Sequence, residues 1–544
     1  MNYQKLAERL LPDAPSVDGF ESKYPPRNLG MNAEVTRLAP SPTGFIHLGN
    51  LFVAIANERI AHQSGGVLFL RIEDTDLKRK VDGAVEAVKN ALRYFDIKFD
   101  EGAEIEGDNT YAPWYQRQRA DIYHAFVKKL IAQGRAYPCF CTEEDLSSLR
   151  ETQTAQKEIT GYYGKYAKCR NLSEDEIYRN LDAGKPYVIR LKSMGNPENK
   201  IKFQDAIKGE ITVTENDQDI VILKSDGIPT YHFAHAIDDH FMRTTLVIRG
   251  EEWLASLPIH LELFQTLNFA LPRYGHICSL MKQDGEIRRK LSKRKDPELS
   301  LEFYRQEGYF ARAVKIYMLT LLNSNFEEWY LKNPEKPLDE FQFSVGKMGK
   351  SGTLFDLDKL NDISKNELAR LSAEEMMSFL KAWVDEYGTD SQKSYFKNQE
   401  YLLNVLNLTM GTAGKKRRKD FTTAKQAVEL ISYFFEAPVC SDESRIQRAI
   451  KNQILTSFLA SYDHTDDAQT WFSKVKETAT TYGFATDMKD YKLNPQNYPG
   501  SVSDVAEVLR IAVTGKSNTP DLWSIMQILG DSETRARLER AIEE

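Results

Sequence analysis

Several groups of residues in this sequence have the types and spacing to do chemistry. The first lies in Arg37-Leu38-Ala39-Pro40-Ser41-Pro42-Thr43-Gly44-Phe45-Ile46-His47-Leu48-Gly49-Asn50. An apolar run ends at Ala39, and Pro40, Pro42 and Gly44 force a loop. A helical pattern then starts at Leu48, with Leu51, Phe52, Ile55 and Ala56 on one face. His47 and Gly49 thus stand at a helix N-terminus, where free backbone N–H groups and the helix dipole favour a phosphate. The second group, Arg71-Ile72-Glu73-Asp74-Thr75-Asp76, puts acids at a strand's C-terminal end, where open α/β sheets bind ligands. The alternative there is a solvated loop in which Asp76 caps the next helix. The third is Arg249, at the end of the apolar run Leu246-Val247-Ile248. Arg offers a carboxylate a planar fork that Lys does not; the bland reading is a surface ion pair worth about 0–1 kcal/mol. The fourth is the basic run Arg288-Arg289-Lys290-Leu291-Ser292-Lys293-Arg294-Lys295. Such runs are mostly solvated or touch nucleic acid nonspecifically; this one follows a strand and a Gln283-Asp284-Gly285 turn at the edge of the second half-sheet.

The elements that must position these groups can be read from the pattern. Val67-Leu68-Phe69-Leu70 follows Gly65-Gly66, so the first group sits in a strand–loop–helix–turn–strand unit, a βαβ of about 30 residues. Ile220–Lys224 and Leu246–Gly250 read as strands, Thr230–His240 as a helix, and Ile277–Met281 as the strand before the basic run. Between the half-sheets, Trp114 begins a helix to Leu130, and Tyr187–Lys192 is a strand. From about residue 370 the pattern is helical throughout. Ala424, Ala427, Val428, Ile431 and Phe435 form one apolar face, and Val505, Val508, Leu509, Ala512 and Val513 another. Leu6, Leu10 and Leu11 suit a short amphipathic helix in an N-terminal packing arm.

The combination resembles glutamyl-tRNA synthetases, members of the class I aminoacyl-tRNA synthetases, over residues 33–535. The first group is similar to the class's His-Ile-Gly-His box. Its Ser-Pro-Thr-Gly lead-in resembles the glutamyl form, where a glutaminyl enzyme would carry Glu-Pro-Asn-Gly. Asn50 stands where the class box has its second His. Arg71–Asp76, Thr230–His240 and Ile248-Arg249-Gly250-Glu251-Glu252 resemble further family segments, and Lys290–Arg294 resembles the Lys-Met-Ser-Lys-Ser loop. The two signatures lie about 240 residues apart.

The resemblance implies an α/β fold: a Rossmann-like class I catalytic domain with an inserted acceptor-binding domain, followed by an all-helical anticodon-binding region. The expected division is 1–32 N-terminal extension, 33–111 first catalytic half, 112–228 acceptor-end insertion, 229–281 second half, 282–370 signature loop and stem contact, and 371–544 helical anticodon-binding domain. Glutaminyl enzymes would have β-barrels in that last part. The implied reaction activates L-glutamate with ATP to glutamyl-adenylate and transfers it to the 3′ end of tRNA(Glu). The implied catalytic residues are His47, Lys290 and Lys293, and the implied ATP site adds Gly49, Asn50, Glu252, Trp253 and Ser292. Arg37, Ser41, Glu73, Tyr231, His235 and Arg249 would hold glutamate. Mg²⁺ would arrive with ATP, through phosphates and waters.

Cys139, Cys141 and Cys169 make an incomplete zinc set. No His occurs between His124 and His232, so the fourth donor is left to Tyr166 or another group, and the sequence commits to no metal. Five Cys in 544 residues fit a reducing compartment rather than a disulfide framework. No apolar run reaches the roughly 18 residues of a membrane span, and the start does not open a signal peptide. The expectation is a cytoplasmic monomer. Its net charge of −7 means that tRNA must meet local basic patches, with Gly414-Lys415-Lys416-Arg417-Arg418-Lys419 as one candidate. Two other classes compete: a synthetase-like regulatory protein without catalysis, against which the intact His47, Gly49, Lys290, Ser292 and Lys293 speak, and a nucleotidyl transferase on the same fold, usually shorter and without the helical half.

Overall fold

Parallel strands carry the candidate site. In the computed structural model, Val35–Leu38 (β1), Val67–Leu70 (β2) and Glu101–Gly102 (β3) pair in the order β1-β2-β3, with Arg37 opposite Phe69. The structure describes residues 1–42, 46–76, 81, 83–412, 417–438 and 446–543. They form two compact units, 1–303 with 315–356, and 304–314 with 357–544.

In the first unit Tyr3–Leu10 (α1) and Phe20–Lys23 (α2) precede β1, and Leu48–Gln63 (α3) crosses from β1 to β2. β2 is a continuous apolar run, as befits a strand covered on both faces, and β1 is buried along its whole length although it carries Thr36 and Arg37. The turn between α3 and β2 needs glycine, because a Cβ at Gly66 would lie 2.0 Å from the Glu34 carbonyl oxygen. The next helix, Ala84–Tyr94 (α4), has the left-handed Gly83 at its N-cap with no side-chain cap, so Asp76 does not cap it. Residues 77–80 and 82 of that connection lie outside the described residues.

The helix expected from Trp114 to Leu130 begins with a 3₁₀ turn at Gln116–Arg119 and runs as Ala120–Ala132 (α5), and it packs against α1 rather than standing apart. Leu6 and Leu10 are buried there, while Leu11 only terminates α1. Beyond α5 the chain leaves the parallel pattern. Ala136–Cys139 (β4), Val188–Leu191 (β5) and Val221–Leu223 (β8) form an antiparallel sheet in the order β4-β5-β8. Between them lie Glu143–Ala155 (α6), Glu174–Asp182 (α7) and the hairpin Lys200–Asp205 (β6) and Gly209–Thr214 (β7).

The parallel pattern resumes with Tyr231–Phe241 (α8), Leu246–Gly250 (β9), Leu257–Leu267 (α9) and Arg273–Ile277 (β10). β9 pairs with β10 and lies beside β1, where the Thr245 amide donates to the Val35 carbonyl over 3.0 Å. The strand expected at 277–281 is two strands. β10 ends at Ile277, and Leu280–Asp284 (β11) opens a new small sheet with Ile287–Lys290 (β12) and Thr353–Leu354 (β13). Gly285, at φ +61°, makes the β11–β12 turn.

The second unit has no β-strand among its described residues. Its helices, including Leu357–Leu368, Ala373–Tyr387, Ala424–Ile431 and Val502–Thr514, bury a common core of Leu380, Leu406, Val428, Phe458 and Leu509. Leu357–Leu368 belongs with these helices, so a boundary at 370/371 would cut it from its core. Of the basic stretch, 414–416 lie outside the described residues. Arg417 donates to the Leu371 carbonyl, Arg418 pairs with Asp420 and Lys419 donates to Asn366.

Candidate active site

At the C-terminal ends of β1, β2 and β9 lies a cavity of about 390 Å³. Its wall includes Arg37, Ser41, Glu73, Tyr231 and Arg249, and also His47, Gly49, Asn50, Glu252, Trp253 and Lys290. Residues as far apart in sequence as Arg37 and Arg249 thus meet in one space because β1, β2 and β9 end side by side, and the end of β12 adds Lys290.

The loop after β1 reaches α3 through a reciprocal cap. Nδ1 of His47 accepts the Asn50 amide over 3.3 Å, and Oδ1 of Asn50 accepts the His47 amide over 3.0 Å. Two of the helix's orphan donors are satisfied in this way. A residue that breaks the class box therefore has a defined task here. Burial, with the nearby Lys290 charge added, lowers the pKa of His47. Thr43, Gly44 and Phe45, in the middle of this loop, lie outside the described residues.

Behind the wall is a buried ionic network. Arg37, on β1, pairs with Asp239 of α8 over 3.3 Å. Arg71 pairs with Asp239 over 2.6 Å and with Glu73 over 3.1 Å. Asp238 accepts from Arg119 over 2.6 Å, from Gln116 over 2.9 Å and from the Tyr123 hydroxyl over 2.8 Å. Asp238 therefore ties the start of α5 to α8, the physical reason that this helix packs with the catalytic sheet. Burial drives the Glu73 carboxyl up to about 7, against the pull of Arg71 and Arg37. Asp239 is held well below the carboxylate range because Arg37 and Arg71 outweigh its burial.

In this network three guanidinium groups (Arg37, Arg71, Arg119) face three carboxylates (Glu73, Asp238, Asp239). Arg249 is the surplus charge. It is 5% exposed, it lines the cavity, and it has no carboxylate partner among the described residues. His276, which stands opposite it in the β9–β10 ladder, accepts from its Nε over 3.0 Å, and Nδ1 of His260 lies 3.1 Å from its Nη1. Its Nη2 is buried with no partner. A buried unpaired charge is costly enough that a ligand carboxylate is the natural complement.

His235 does not reach the cavity. It is fully buried, its Nε2 bonds the Tyr274 hydroxyl over 2.8 Å, and its Nδ1 lies 2.9 Å from Asp239. Tyr231 stacks in front of it, with ring centroids 5.8 Å apart, because the two lie one helical turn apart on α8. Burial pushes the His235 pKa down to about 4. The expected direct contact is thus corrected to a place behind Tyr231.

Lys290 ends β12 and lies 3.7 Å from Glu252, both side chains more than half exposed. Lys293 lines an adjoining pocket with Pro40, Ser41, His47 and Asn50, on the far side of the same loop. Ser292 lines neither space; its amide donates to Asp296 over 2.8 Å. Asp296 is 2% exposed and also pairs with Arg289 over 2.6 Å, so it folds the basic run back on itself. Sequence reasoning missed Asp296, His260, His276 and Asp205. Only the register of β9 against β10 signals His276.

In the antiparallel part, Cys139, Cys141 and Cys169 converge, with sulfur atoms within 4.8 Å of one another. The fourth group is Tyr162, whose hydroxyl lies 3.4 Å from Cys139 and 3.3 Å from Cys141. Tyr166 is turned away and donates to Gln156 over 2.8 Å.

Comparison with known proteins agrees with this geometry. Residues 34–361 match the family model described as tRNA synthetases class I (E and Q), catalytic domain, and residues 497–542 match an anticodon binding domain. A glutamate–tRNA ligase of Acetivibrio thermocellus is 51% identical, covering 100% of both chains. One of Clostridium perfringens strain 13 is 46% identical over 99% of this chain and 100% of its own. Among solved structures, a glutamate tRNA ligase from Elizabethkingia meningosepticum in complex with its amino acid aligns with a TM-score of 0.74 at 28% identity, covering 94% of this chain and 99% of that one.

Proposed function

This chain belongs to the glutamate–tRNA ligases of the class I aminoacyl-tRNA synthetases, and on that premise we propose how its own residues carry the reaction. The enzyme joins L-glutamate to tRNA(Glu) at the expense of ATP, releasing AMP and diphosphate. The α-carboxylate of glutamate attacks the α-phosphorus of ATP, and a terminal ribose hydroxyl of the tRNA then attacks the adenylate carbonyl. Both steps depend on position and charge stabilisation more than on covalent help from the protein.

The observation that carries the reading is Arg249, a buried guanidinium with no carboxylate partner among the described residues. It takes the glutamate side chain, and the ligand's carboxylate neutralises it. Glu73, Arg37, Ser41 and Tyr231 hold the amino-acid backbone end, with ionised Glu73 receiving the ammonium group. The His47–Asn50 cap presents the α3 N-terminus to ATP phosphates from one side. Lys290 and Lys293 close from the other, and Glu252 and Trp253 meet the nucleoside. Mg²⁺ accompanies ATP and screens its phosphates; no protein cage is assigned to it. The helical unit binds the tRNA anticodon arm.

Arg249→Gln is the direct test, read as aminoacylation of purified tRNA(Glu). A fall in kcat/KM for glutamate of about 10²–10³ is expected for removing one member of a buried charge pair; an unchanged KM for glutamate would sink the assignment. Purified tRNA(Gln) in the same assay reports whether charging is confined to tRNA(Glu).

We also propose that Cys139, Cys141, Cys169 and the Tyr162 hydroxyl hold a structural zinc ion. Cys141 and Cys169 have sulfurs 3.7 Å apart, and the hydroxyl sits 3.3–3.4 Å from two of the sulfurs. Four tetrahedral donors at about 2.0–2.3 Å from one ion need such spacings. Metal analysis of the purified protein should find one zinc per chain, lost in Cys141→Ala.

A further inference from the structure

Arg249 is gripped by two histidines, and its chemistry dictates their state. A guanidinium has five donors and no acceptor and keeps its charge at any working pH. Each ring nitrogen that faces it must therefore be the bare, accepting one. His276 meets Arg249 with Nε2, so its proton sits on Nδ1, where it is given to Oδ2 of Asp205 over 2.6 Å. His260 meets Arg249 with Nδ1, so its proton sits on Nε2, 3.0 Å from Nδ1 of His232. The contacts Asp205–His276–Arg249–His260–His232 run unbroken through the end of β6, β10, β9, α9 and α8. His260 and His276 are fully buried, and burial together with the Arg249 charge lowers the pKa of both.

We propose that His260 and His276 are positioning residues for side-chain carboxylate recognition: their two lone pairs fix the Arg249 guanidinium and leave Nη2 with no acceptor among the described residues. The inference rests on the reading of Arg249 as the group that takes the substrate's side chain. It adds a basis for rejecting glutamine. Both histidine lone pairs are spent on Arg249, so a carboxamide NH₂ placed against Arg249 would meet its donors with no histidine nitrogen free to accept, whereas a carboxylate meets a matching fork. A long Arg side chain has several free rotors. Without its two acceptors, the guanidinium loses the orientation that the fork requires.

Asp205 supplies an isosteric test. Its Oδ1 accepts the amides of Ile207 and Lys208 over 2.9 and 2.8 Å, and its Oδ2 faces His276. In Asp205→Asn the oxygen must stay with the amides, which turns the NH₂ toward Nδ1 of His276. The His276 proton then moves to Nε2 and opposes Arg249, with no cavity created. Aminoacylation kinetics should show the KM for glutamate raised about tenfold or more, with kcat and the KM for ATP within about threefold, the size expected for one buried bond turned donor against donor. His260→Leu and His276→Leu should raise the same KM and narrow the preference for glutamate over glutamine. His260→Asn and His276→Gln return an acceptor oxygen near the lost nitrogen and should recover most of the loss. Thermal melting reports folding, and if the Leu variants do not fold, Asp205→Asn decides alone. An unchanged glutamate KM in folded Asp205→Asn overturns the proposal. If Arg249→Gln also leaves that KM unchanged, the fault lies in the reading of Arg249 instead.

Discussion

The two ends of the cavity are built on opposite plans. At the amino-acid end Arg37, Glu73 and Arg249 are 4%, 8% and 5% exposed, rise from the ends of core strands, and are held by buried partners. At the nucleotide end Lys290 and Glu252 have side chains 58% and 56% exposed, and Lys290 and Lys293 ride on a hairpin and its following turn. The contrast follows from what each end must do. Telling one small amino acid from its near-isostere needs donors fixed in advance, since selectivity comes from groups left unpaired by the wrong ligand. Closing on a triphosphate whose charge moves during reaction needs cations free to follow it.

Substitutions should therefore act differently at the two ends. The largest effect is expected for Lys293→Ala, which removes the charge proposed to meet the ATP phosphates. Adenylate formation, followed as single-turnover diphosphate release in the presence of tRNA(Glu), should fall by about 10²–10³ with the glutamate KM little changed. A raised glutamate KM instead would show that the ends are not separate. Next comes pH. The Glu73 pKa is raised from its ordinary value to about 7 by burial, so the carboxyl is protonated below that pH and ionised above it. On the proposed reading only the ionised form receives the ammonium group. The glutamate KM should then rise as pH falls through 7, approaching about tenfold per pH unit, while the ATP KM stays flat across that step. A flat glutamate profile would remove Glu73 from the ammonium site.

Smaller effects test the scaffold. Asn50→Ala removes one half of the cap on α3 and should cost about 1 kcal/mol in denaturant unfolding. Glu252→Gln breaks only the exposed pair with Lys290 and should change stability by less than about 0.5 kcal/mol. A larger loss would mean that the nucleotide end is more rigid than its exposure implies.

How much of this was legible in the sequence follows the same divide. The strand–loop–helix at 35–63, the helix at 231–241 and the strand at 246–250 carry strong local patterns, and the structure has them. Local pattern places Arg37, Glu73 and Arg249 at strand ends, and the resemblance marks their order. It did not reveal what holds them. Asp205, Arg249, His260 and His276 sit in separate elements, and only the parallel register that puts His276 opposite Arg249 assembles them. His235 was misplaced for a related reason: motif order does not say which face of α8 meets the cavity. The break at 278–279 between β10 and β11 was hidden because the apolar residues Ile277, Leu280 and Met281, at the end of one strand and the start of the next, read as one run.

The hairpin that bears Asp205 has a consequence for modularity. By sequence, residues 200–214 fall inside a stretch spliced between two halves of a sheet, and such stretches invite exchange between relatives. Here the turn of that hairpin delivers a buried carboxylate to the far side of the amino-acid pocket. A chimaera that swaps the stretch keeps specificity only if the donor chain brings an acid to the same turn. Trading the stretch therefore trades part of the pocket's grammar, and its inheritance is bound to that of β9 and β10.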